Sequence, residues 1–336
     1  MREIIITAND AGRRLDRFLR KYLPGASLGE VYKIIRKDVK VDSKRRSESY
    51  MLSEGETLSL YLSDSALASF GAPDPSGFGS GQGVRPPGRR QTRRRFGIVY
   101  EDSNVLIADK PYGLLTHGDS REKKDHLANQ VKDYLISAGA YDPRSEKVFS
   151  PAPANRLDRN TTGLVLFGKT AAAMRGLNRM IREDEVSKFY LTLACGEIAE
   201  VLHITGGLTK DEATNKVTVT DLGCADRPPD LKEIATVVRP LEVFRFGDGL
   251  CATLCEAELL TGRTHQIRAH LASAGHPLAG DSKYAERSSI EVNRYRREHF
   301  GLTTQLLHAA RLEFAADAKD TEGLGYLAGR SFEAAL

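Results

Sequence analysis

The sequence is poor in cysteine. Its 336 residues contain four cysteines, and none belongs to a C-x-x-C pair. Cys251 and Cys255 fall on one predicted strand, where a rise of about 3.3 Å per residue places them roughly 13 Å apart. That separation is too long for a disulfide or a shared metal ion. A secreted disulfide scaffold is therefore excluded, and we expect reduced thiols, as in a cytosol.

Long apolar runs and export signals are also missing. The longest apolar segments, such as residues 163–167, are far shorter than the roughly 18 residues of a membrane span. The N-terminus has neither the apolar stretch nor the small-residue cleavage site of a signal peptide. No internal repeat of fixed period is visible. We therefore expect a cytoplasmic globular protein that does not enter a membrane.

Positive charge is concentrated in two segments. Lys and Arg number 49 against 45 Asp and Glu, a net charge of +4. Residues 85–95 hold six arginines and no acid, and residues 13–46 hold twelve bases and four acids. Two basic segments on a near-neutral body favour a polyanionic partner, which could be RNA, DNA or an anionic membrane. The simpler alternative is a pair of solvated charged faces.

Residues 64–95 have the composition of a flexible basic linker. The segment contains six glycines, four prolines and four serines beside its arginines. It cannot bury enough apolar surface to offset the entropy lost on ordering. We therefore predict three parts: an N-terminal module over 1–63, the linker over 64–95 and a large domain over 96–336.

The N-terminal module has the pattern of two helices and a small sheet. Apolar spacing predicts a first helix over 15–22, with Asn9 or Asp10 as its N-cap, and a second helix from Ser27. Alternation predicts short strands near 39–41 and 58–62. Residues 14–19, 31–37 and 39–42 resemble the S-four-like RNA-binding domain. The resemblance implies binding to structured RNA.

The large domain alternates strands with helices, which is typical of an α+β fold with a large mixed or antiparallel sheet flanked by helices. The predicted helices cover 127–135 and 171–182. The predicted strands lie near 105–108, 164–167, 189–194, 217–219, 243–246 and 251–259.

A polar loop runs directly into the apolar strand at 164–167. In this loop Asp158 stands between Arg156 and Arg159. Nearby cations favour the ionised form of a carboxylate, so Asp158 is a candidate nucleophile or base. However, the tetrapeptide Arg-Leu-Asp-Arg also occurs at 14–17, where Asp16 is most simply a surface charge. The tetrapeptide alone therefore does not identify a catalytic residue.

Two later segments add candidate site residues. After the strand ending near Gly262, we predict a helix with Thr264 as its N-cap, on which Arg268 can form a forked pair with a carboxylate. Tyr190 lies on a strand, either as half-buried packing or as a ring that stacks on an extruded base. The spacing of the histidines at 265, 270 and 276 is not that of a zinc site, and structural or RNA-facing roles are favoured.

Together these segments resemble the RluA-like pseudouridine synthases over about residues 98–313. The family pattern Arg-Leu-Asp, two residues, Thr-Ser-Gly, an apolar strand and a Lys is present from Arg156 to Lys169. The Thr-Gly-Arg-Thr-His-Gln-Ile-Arg segment matches unchanged at 261–268, and further matches follow at 275–277, 280–281 and 307–312. An S-four-like domain ahead of this body is the familiar arrangement of the members that act on large-subunit ribosomal RNA.

The match has three departures. The family usually has His, Ser and Gly where this chain has Asn155, Thr162 and Ala285. Asn and Thr keep hydrogen-bonding capacity, so we expect a working site. The departures nevertheless keep a second hypothesis open, namely a catalytically inactive RNA-binding or ribosome-assembly factor. An RNA glycosylase that uses the same carboxylate is a third.

The resemblance implies isomerisation of uridine to pseudouridine in structured RNA, most simply large-subunit ribosomal RNA, with transfer RNA as an alternative. It implies that Asp158 is the essential carboxylate and leaves open whether it attacks C1′ or C6 or acts as a base. It also implies that Arg268 pairs with Asp158, Tyr190 stacks on the uracil and Arg156 fills the space of the flipped base. An isomerisation needs no cofactor, and no glycine-rich phosphate loop is visible. We expect no metal and a monomer.

Overall fold

The computed structural model describes residues 1–73, 94–120, 122–143, 146, 148–211, 214, 216–223, 228–246, 249–284, 287–301, 303–320 and 322–335. They divide into two compact units. The first comprises Met1–Arg94, Gln130–Ala152 and Gly168–Arg175, and the second Arg95–Asn129, Pro153–Phe167 and Gly176–Leu336. The first unit thus includes two segments that the sequence analysis placed in the large domain. The three-part division remains a prediction.

The first unit begins with a small three-stranded sheet and two amphipathic helices. In chain order the elements are β1 (Arg2–Ile5), α1 (Leu15–Tyr22), α2 (Leu28–Asp38), β2 (Val39–Val41), β3 (Thr57–Leu60) and α3 (Asp64–Ser69). The antiparallel sheet has the order β1-β3-β2. The apolar faces of α1 and α2 contribute to one buried cluster with residues of all three strands. Apolar periodicity predicted α1, α2, β2 and β3, whereas β1 and α3 were not predicted from the sequence.

The two helix starts differ. Ser27 caps α2, because its hydroxyl accepts the Glu30 N–H while the Glu30 carboxylate accepts the Ser27 N–H. The N-cap of α1 is Arg14, without a side-chain cap, so the predicted cap at Asn9 or Asp10 is wrong. Those two residues lie in a turn that precedes the helix. There Asn9 accepts the N–H of Ala171 instead.

Part of the predicted linker is ordered. Helix α3 occupies its first six residues, is capped by Ser63 and buries Leu67. The flexible-linker interpretation is therefore wrong for these six residues. Most of the linker, residues 74–93, lies outside the described residues.

The sheet of the second unit has eleven strands among the described residues, and its order is β10-β9-β11-β12-β8-β13-β7-β5-β4, with β14 on β13 and β6 on β7. The strands are β4 (Gly97–Glu101), β5 (Val105–Lys110), β6 (Ala152–Pro153), β7 (Thr162–Gly168), β8 (Val186–Cys195), β9 (Leu202–Asp211), β10 (Lys216–Thr220), β11 (Lys232–Arg245), β12 (Cys251–Leu259), β13 (Leu307–Phe314) and β14 (Ser331–Glu333). The remaining α-helices of the described residues are α4 (Leu127–Ser137), α5 (Ala171–Arg182), α6 (Gln266–Ser273) and α7 (Arg287–Phe300); most of α4 and the start of α5 belong to the first unit.

This architecture confirms the α+β prediction with a large mixed sheet. Most neighbouring strands run antiparallel, whereas β13 and β7 are parallel. The predicted strand near 243–246 is only the end of β11, which continues through an irregularity between Pro240 and Glu242. The helices of the described segments are all too short or too polar to cross a membrane.

The parallel pair β7 and β13 approach each other unusually closely at Gly163. This glycine has φ +100°, and a Cβ at this position would lie 2.2 Å from the carbonyl oxygen of Ala309. Only glycine fits such an approach. The contact brings the start of β7, immediately after the Asp158 loop, against β13.

Candidate active site

The loop that carries Asp158 is held on both sides by buried polar groups. The Leu157 N–H donates to Thr116 Oγ1 over 3.0 Å, and that hydroxyl donates back to the Leu157 carbonyl over 2.9 Å. The Lys110 ammonium, at the end of β5, donates to the carbonyls of Leu114 and Arg159 at 2.7 and 3.1 Å. The backbone on either side of Asp158 is therefore fixed from the β5 end of the sheet.

Lys110 is a buried cation inside this support. Its side chain is fully buried, and burial lowers the pKa of Lys110 to about 8 although the negative charge of Asp158 opposes the shift. An ammonium of this kind persists because its protons reach backbone carbonyls. Lys110 was not predicted as a site residue from the sequence.

Asp158 is paired with Arg268, as the resemblance implies. The Arg268 Nη1 atom lies 3.1 Å from Asp158 Oδ2. Nε and Nη2 of the same guanidinium donate to Asp281 at 2.6 and 2.9 Å. Burial lowers the pKa of Arg268, but the hydrogen bonds and charges of Asp281 and Asp158 outweigh it and raise the pKa. One buried guanidinium thus joins two carboxylates.

The two carboxylates of this group differ in access. The side chain of Asp281 is 1% exposed, whereas that of Asp158 is 23% exposed. Asp281 therefore orients the guanidinium, and Asp158 is the acid that an outside molecule can reach. The sequence analysis noted Asp281 only as part of a family match and assigned it no role.

The start of α6 differs from the prediction. The N-cap is His265, with φ +53° and no side-chain cap, rather than Thr264. Gln266 holds the turn, because its Oε1 accepts from Thr261 Oγ1 and the Arg263 N–H at 2.8 and 3.1 Å. Its amide nitrogen donates to the Ala235 carbonyl on β11 at 2.9 Å. Tertiary contacts, not a local cap, therefore fix where α6 begins.

The turn places His265 beside Asp158. The His265 Nε2 atom is 3.6 Å from Asp158 Oδ2, and Nδ1 is 2.9 Å from the Tyr284 hydroxyl. Burial lowers the pKa of His265 to about 4, although the charge of Asp158 opposes the shift. The other two histidines of this region make ordinary hydrogen bonds, His270 with Thr236 and His276 with the Cys195 carbonyl. The sequence analysis did not distinguish His265 from them.

Two cavities meet at Asp158. One measures about 570 Å³ and the other about 430 Å³. Both are lined by Arg156, Asp158, His265 and Arg268. Tyr190 lines the larger cavity and Lys283 the smaller one. The site residues predicted from the sequence therefore surround one space that is large enough for a nucleotide.

The predicted aromatic and basic residues occupy different depths. Tyr190 is buried at 6% exposure, and burial followed by the charge of Asp158 raises its pKa. Arg156 is exposed at the mouth of the cavities. In the other copy of the tetrapeptide, Arg14 donates twice to Asp16 at 3.1 and 2.9 Å. That acid is paired within its own tetrapeptide, whereas Asp158 is paired from another element.

Two of the three residues that depart from the family pattern, Asn155 and Thr162, make hydrogen bonds at β7. Asn155 Oδ1 accepts the Leu166 N–H at 2.8 Å, and its amide donates to the Leu164 carbonyl. Thr162 Oγ1 lies 2.7 Å from Nδ1 of His308 on β13. Both side chains therefore fix the strand β7. Ala285 lies outside the described residues.

The cysteines that the structure describes form neither a disulfide nor part of a metal-binding group. Cys195, Cys251 and Cys255 are free thiols, and Cys224 lies outside the described residues. Burial raises the pKa of both Cys195 and Cys255 to about 12. The described residues contain no group of three or more His, Cys, Asp or Glu that could hold a metal ion.

Comparisons with known proteins agree with this geometry. The sequence profile of the RNA pseudouridylate synthase family matches residues 104–273. Ribosomal large subunit pseudouridine synthase C of Escherichia coli (strain K12) is 31% identical over 314 residues, which cover 93% of this chain and 88% of the relative. The protein of the same name from Vibrio cholerae is 31% identical over 322 residues, which cover 94% and 90%.

Solved structures show the same fold. Human RNA Pseudouridylate Synthase Domain Containing 1 matches 75% of this chain and 94% of its own with a TM-score of 0.50 and 23% identity. Human RNA Pseudouridylate Synthase Domain Containing 4 matches 71% and 88% with a TM-score of 0.53 and 19% identity. The family profile matches half of the chain, and relatives with 31% identity align with more than nine tenths of it. The chain therefore belongs to the RNA pseudouridylate synthase family.

Proposed function

We propose that this protein isomerises specific uridines of large-subunit ribosomal RNA to pseudouridine, with Asp158 as the essential carboxylate. The observation that carries the proposal is the contact of 3.1 Å between Asp158 and the buried Arg268 at the junction of two cavities. The charged partner keeps the acid oriented towards a space of nucleotide size. The relatives named above as ribosomal large subunit synthases support the choice of ribosomal RNA over transfer RNA.

The proposed reaction is balanced within the substrate. The bond between N1 of uracil and C1′ of the ribose breaks, the base turns, and a bond forms between C5 and C1′. The proton lost from C5 is matched by the proton gained at N1. No electron acceptor, metal or water enters the balance, so the reaction needs no cofactor.

The surrounding side chains have distinct proposed roles. Arg268 positions Asp158, and Arg156 fills the space that the flipped base leaves in the RNA. Tyr190 packs its ring against the uracil. Because its pKa is raised by burial and by Asp158, Tyr190 remains a neutral phenol near pH 7. That favours stacking over a role as the base that removes the C5 proton.

Binding draws on the basic N-terminal module. The polar face of α2 carries Lys33, Arg36 and Lys37, and such side chains suit phosphate contacts rather than base reading. Extrusion of a base costs a few kcal/mol, which phosphate contacts help to offset. We therefore propose salt-sensitive RNA binding by a monomer in the cytoplasm.

The decisive test is a map of pseudouridines in ribosomal RNA from cells that lack the protein. We expect one or more missing pseudouridines, which return with the wild-type gene and do not return with Asp158→Asn. The matched control is Asp230→Asn, an exposed acid outside both cavities, which restores the modification. If Asp158→Asn restored the pseudouridines as fully as the wild-type protein, Asp158 would not be the essential carboxylate.

A reaction in vitro with excess protein separates the alternatives. A synthase leaves the base attached to the RNA as pseudouridine. An RNA glycosylase releases free uracil, and an inactive binding factor retains RNA without any modified base. Asn155 holds the backbone of β7 and Thr162 contacts the side chain of His308, so both departures keep hydrogen bonds within the fold, which argues against an inactive protein.

A further inference from the structure

We infer that His265 is a positioning residue that holds one oxygen of Asp158 through its Nε2–H group and leaves the other oxygen for the uridine. The inference rests on the proposed function and adds a role to it. His265 Nε2 and Arg268 Nη1 both approach the same oxygen of Asp158, Oδ2, at 3.6 and 3.1 Å. The geometry therefore divides the carboxylate into a held oxygen and a reactive one.

The neighbours of His265 select which ring nitrogen carries the proton. The backbone N–H of Val217, on β10, donates to the Tyr284 hydroxyl oxygen at 3.0 Å. The His265 Nδ1 atom lies 2.9 Å from this hydroxyl, which we assign as the donor because its oxygen already accepts from Val217. A neutral imidazole whose Nδ1 accepts a hydrogen bond carries its proton on Nε2. The edge of β10 thus determines that an N–H group faces Asp158.

The imidazole remains neutral at physiological pH. Burial is the main cause of its low pKa, and the nearby cations Arg268 and Lys283 lower it further, while the carboxylates Asp158 and Asp281 oppose them. A neutral N–H donor fixes the orientation of a carboxylate without placing a second full positive charge on it. The contact of 3.6 Å is long for a hydrogen bond, and contacts of this kind commonly shorten in the complex with substrate.

The backbone of His265 supports a functional role. Its φ of +53° and ψ of 19° lie in the left-handed region, which Gly adopts most easily and which disfavours most residues with a Cβ, Asn, Asp and His less than the others. A residue that served only to start α6 would be better as Gly or Asn. Unfavourable backbone conformations of this kind cluster at active sites. Asparagine is therefore an informative substitution, because it suits the backbone but is too short to reach Asp158.

The experiment compares the steady-state rates at which His265→Asn and His265→Gln form pseudouridine in the RNA substrate. The amide nitrogen of Gln lies near the position of Nε2, whereas that of Asn lies near the position of Nδ1. We expect His265→Asn to lower kcat about tenfold with KM within about twofold and with an undiminished Tm. His265→Gln should restore kcat to within about threefold of wild type. The control is His203→Asn on β9, an exposed histidine that lines neither cavity.

The outcomes are distinguishable. Wild-type kcat in His265→Asn overturns the inference, and so do equal losses in the Asn and Gln variants, because an N–H at the Nε2 position would then not matter. Tyr284→Phe provides a second test if His265→Asn folds poorly. Loss of the hydrogen bond to His265 Nδ1 should lower kcat, and an unchanged kcat in a folded variant contradicts the assigned tautomer. If the wild-type protein itself forms no pseudouridine, the proposed function fails, which is a separate result.

Discussion

At the scale of the residue, the position of Asp158 depends on groups that are distant in sequence. Lys110 precedes it by 48 positions, and Arg268 and Asp281 follow it by 110 and 123. Lys110 holds the backbone of the loop, Arg268 holds the carboxylate, and Asp281 orients the Arg268 guanidinium. The candidate catalytic acid is therefore rigid although it lies in a loop, which is the usual requirement for a preorganised site.

Lys110→Met tests this support. The substitution keeps the length of the side chain but leaves the carbonyls of Pro111, Leu114 and Arg159 without their donor. We expect the free energy of unfolding to fall by roughly 1–3 kcal/mol and kcat to fall more than KM changes. Urea unfolding and turnover measurements check both effects. Lys123→Met, at an exposed position, should change neither, and a wild-type kcat in Lys110→Met would show that the loop needs no ammonium.

At the scale of the element, the site depends on the close approach of β7 and β13. We expect Gly163→Ala to destabilise the protein by roughly 1–3 kcal/mol or more, because its Cβ would clash with the Ala309 carbonyl and its φ is positive. Gly29→Ala is the control, since this glycine of α2 has open space around it. There Ala should raise the helix stability by up to about 1 kcal/mol. Chemical unfolding measures the free energy of unfolding of both variants. Equal values for Gly163→Ala and wild type would contradict the close packing of β7 against β13.

At the scale of the whole molecule, buried neutral histidines limit stability in acid. Burial lowers the pKa of His265, His270 and His308. Burial lowers the pKa of His270 in the folded protein to about 4. In the unfolded chain this histidine binds a proton as the pH falls through about 6.5, whereas in the folded protein it does so only near pH 4. Its contribution to the free energy of unfolding is therefore complete above about pH 6.5 and declines below it.

His270→Asn measures this contribution. Asn can replace the Nδ1 contact with Thr236 but does not titrate. We expect the loss of unfolding free energy between pH 7 and pH 5 to be smaller in this variant than in wild type, and smaller than in the exposed control His203→Asn. Urea titrations at the two pH values provide the comparison. An identical pH dependence in all three proteins would contradict the assignment.

The sequence by itself determined the features that depend on near neighbours. Helix α5 covers the predicted 171–182, and Ser27 caps α2, because apolar periodicity and capping chemistry act over a few residues. Motif resemblance also identified Asp158, Arg268 and the family. The tertiary structure alone decided the roles of Lys110, Asp281 and His265 and the start of α6. Their partners lie on other strands and loops, so sheet order and register, which no local pattern encodes, bring them together.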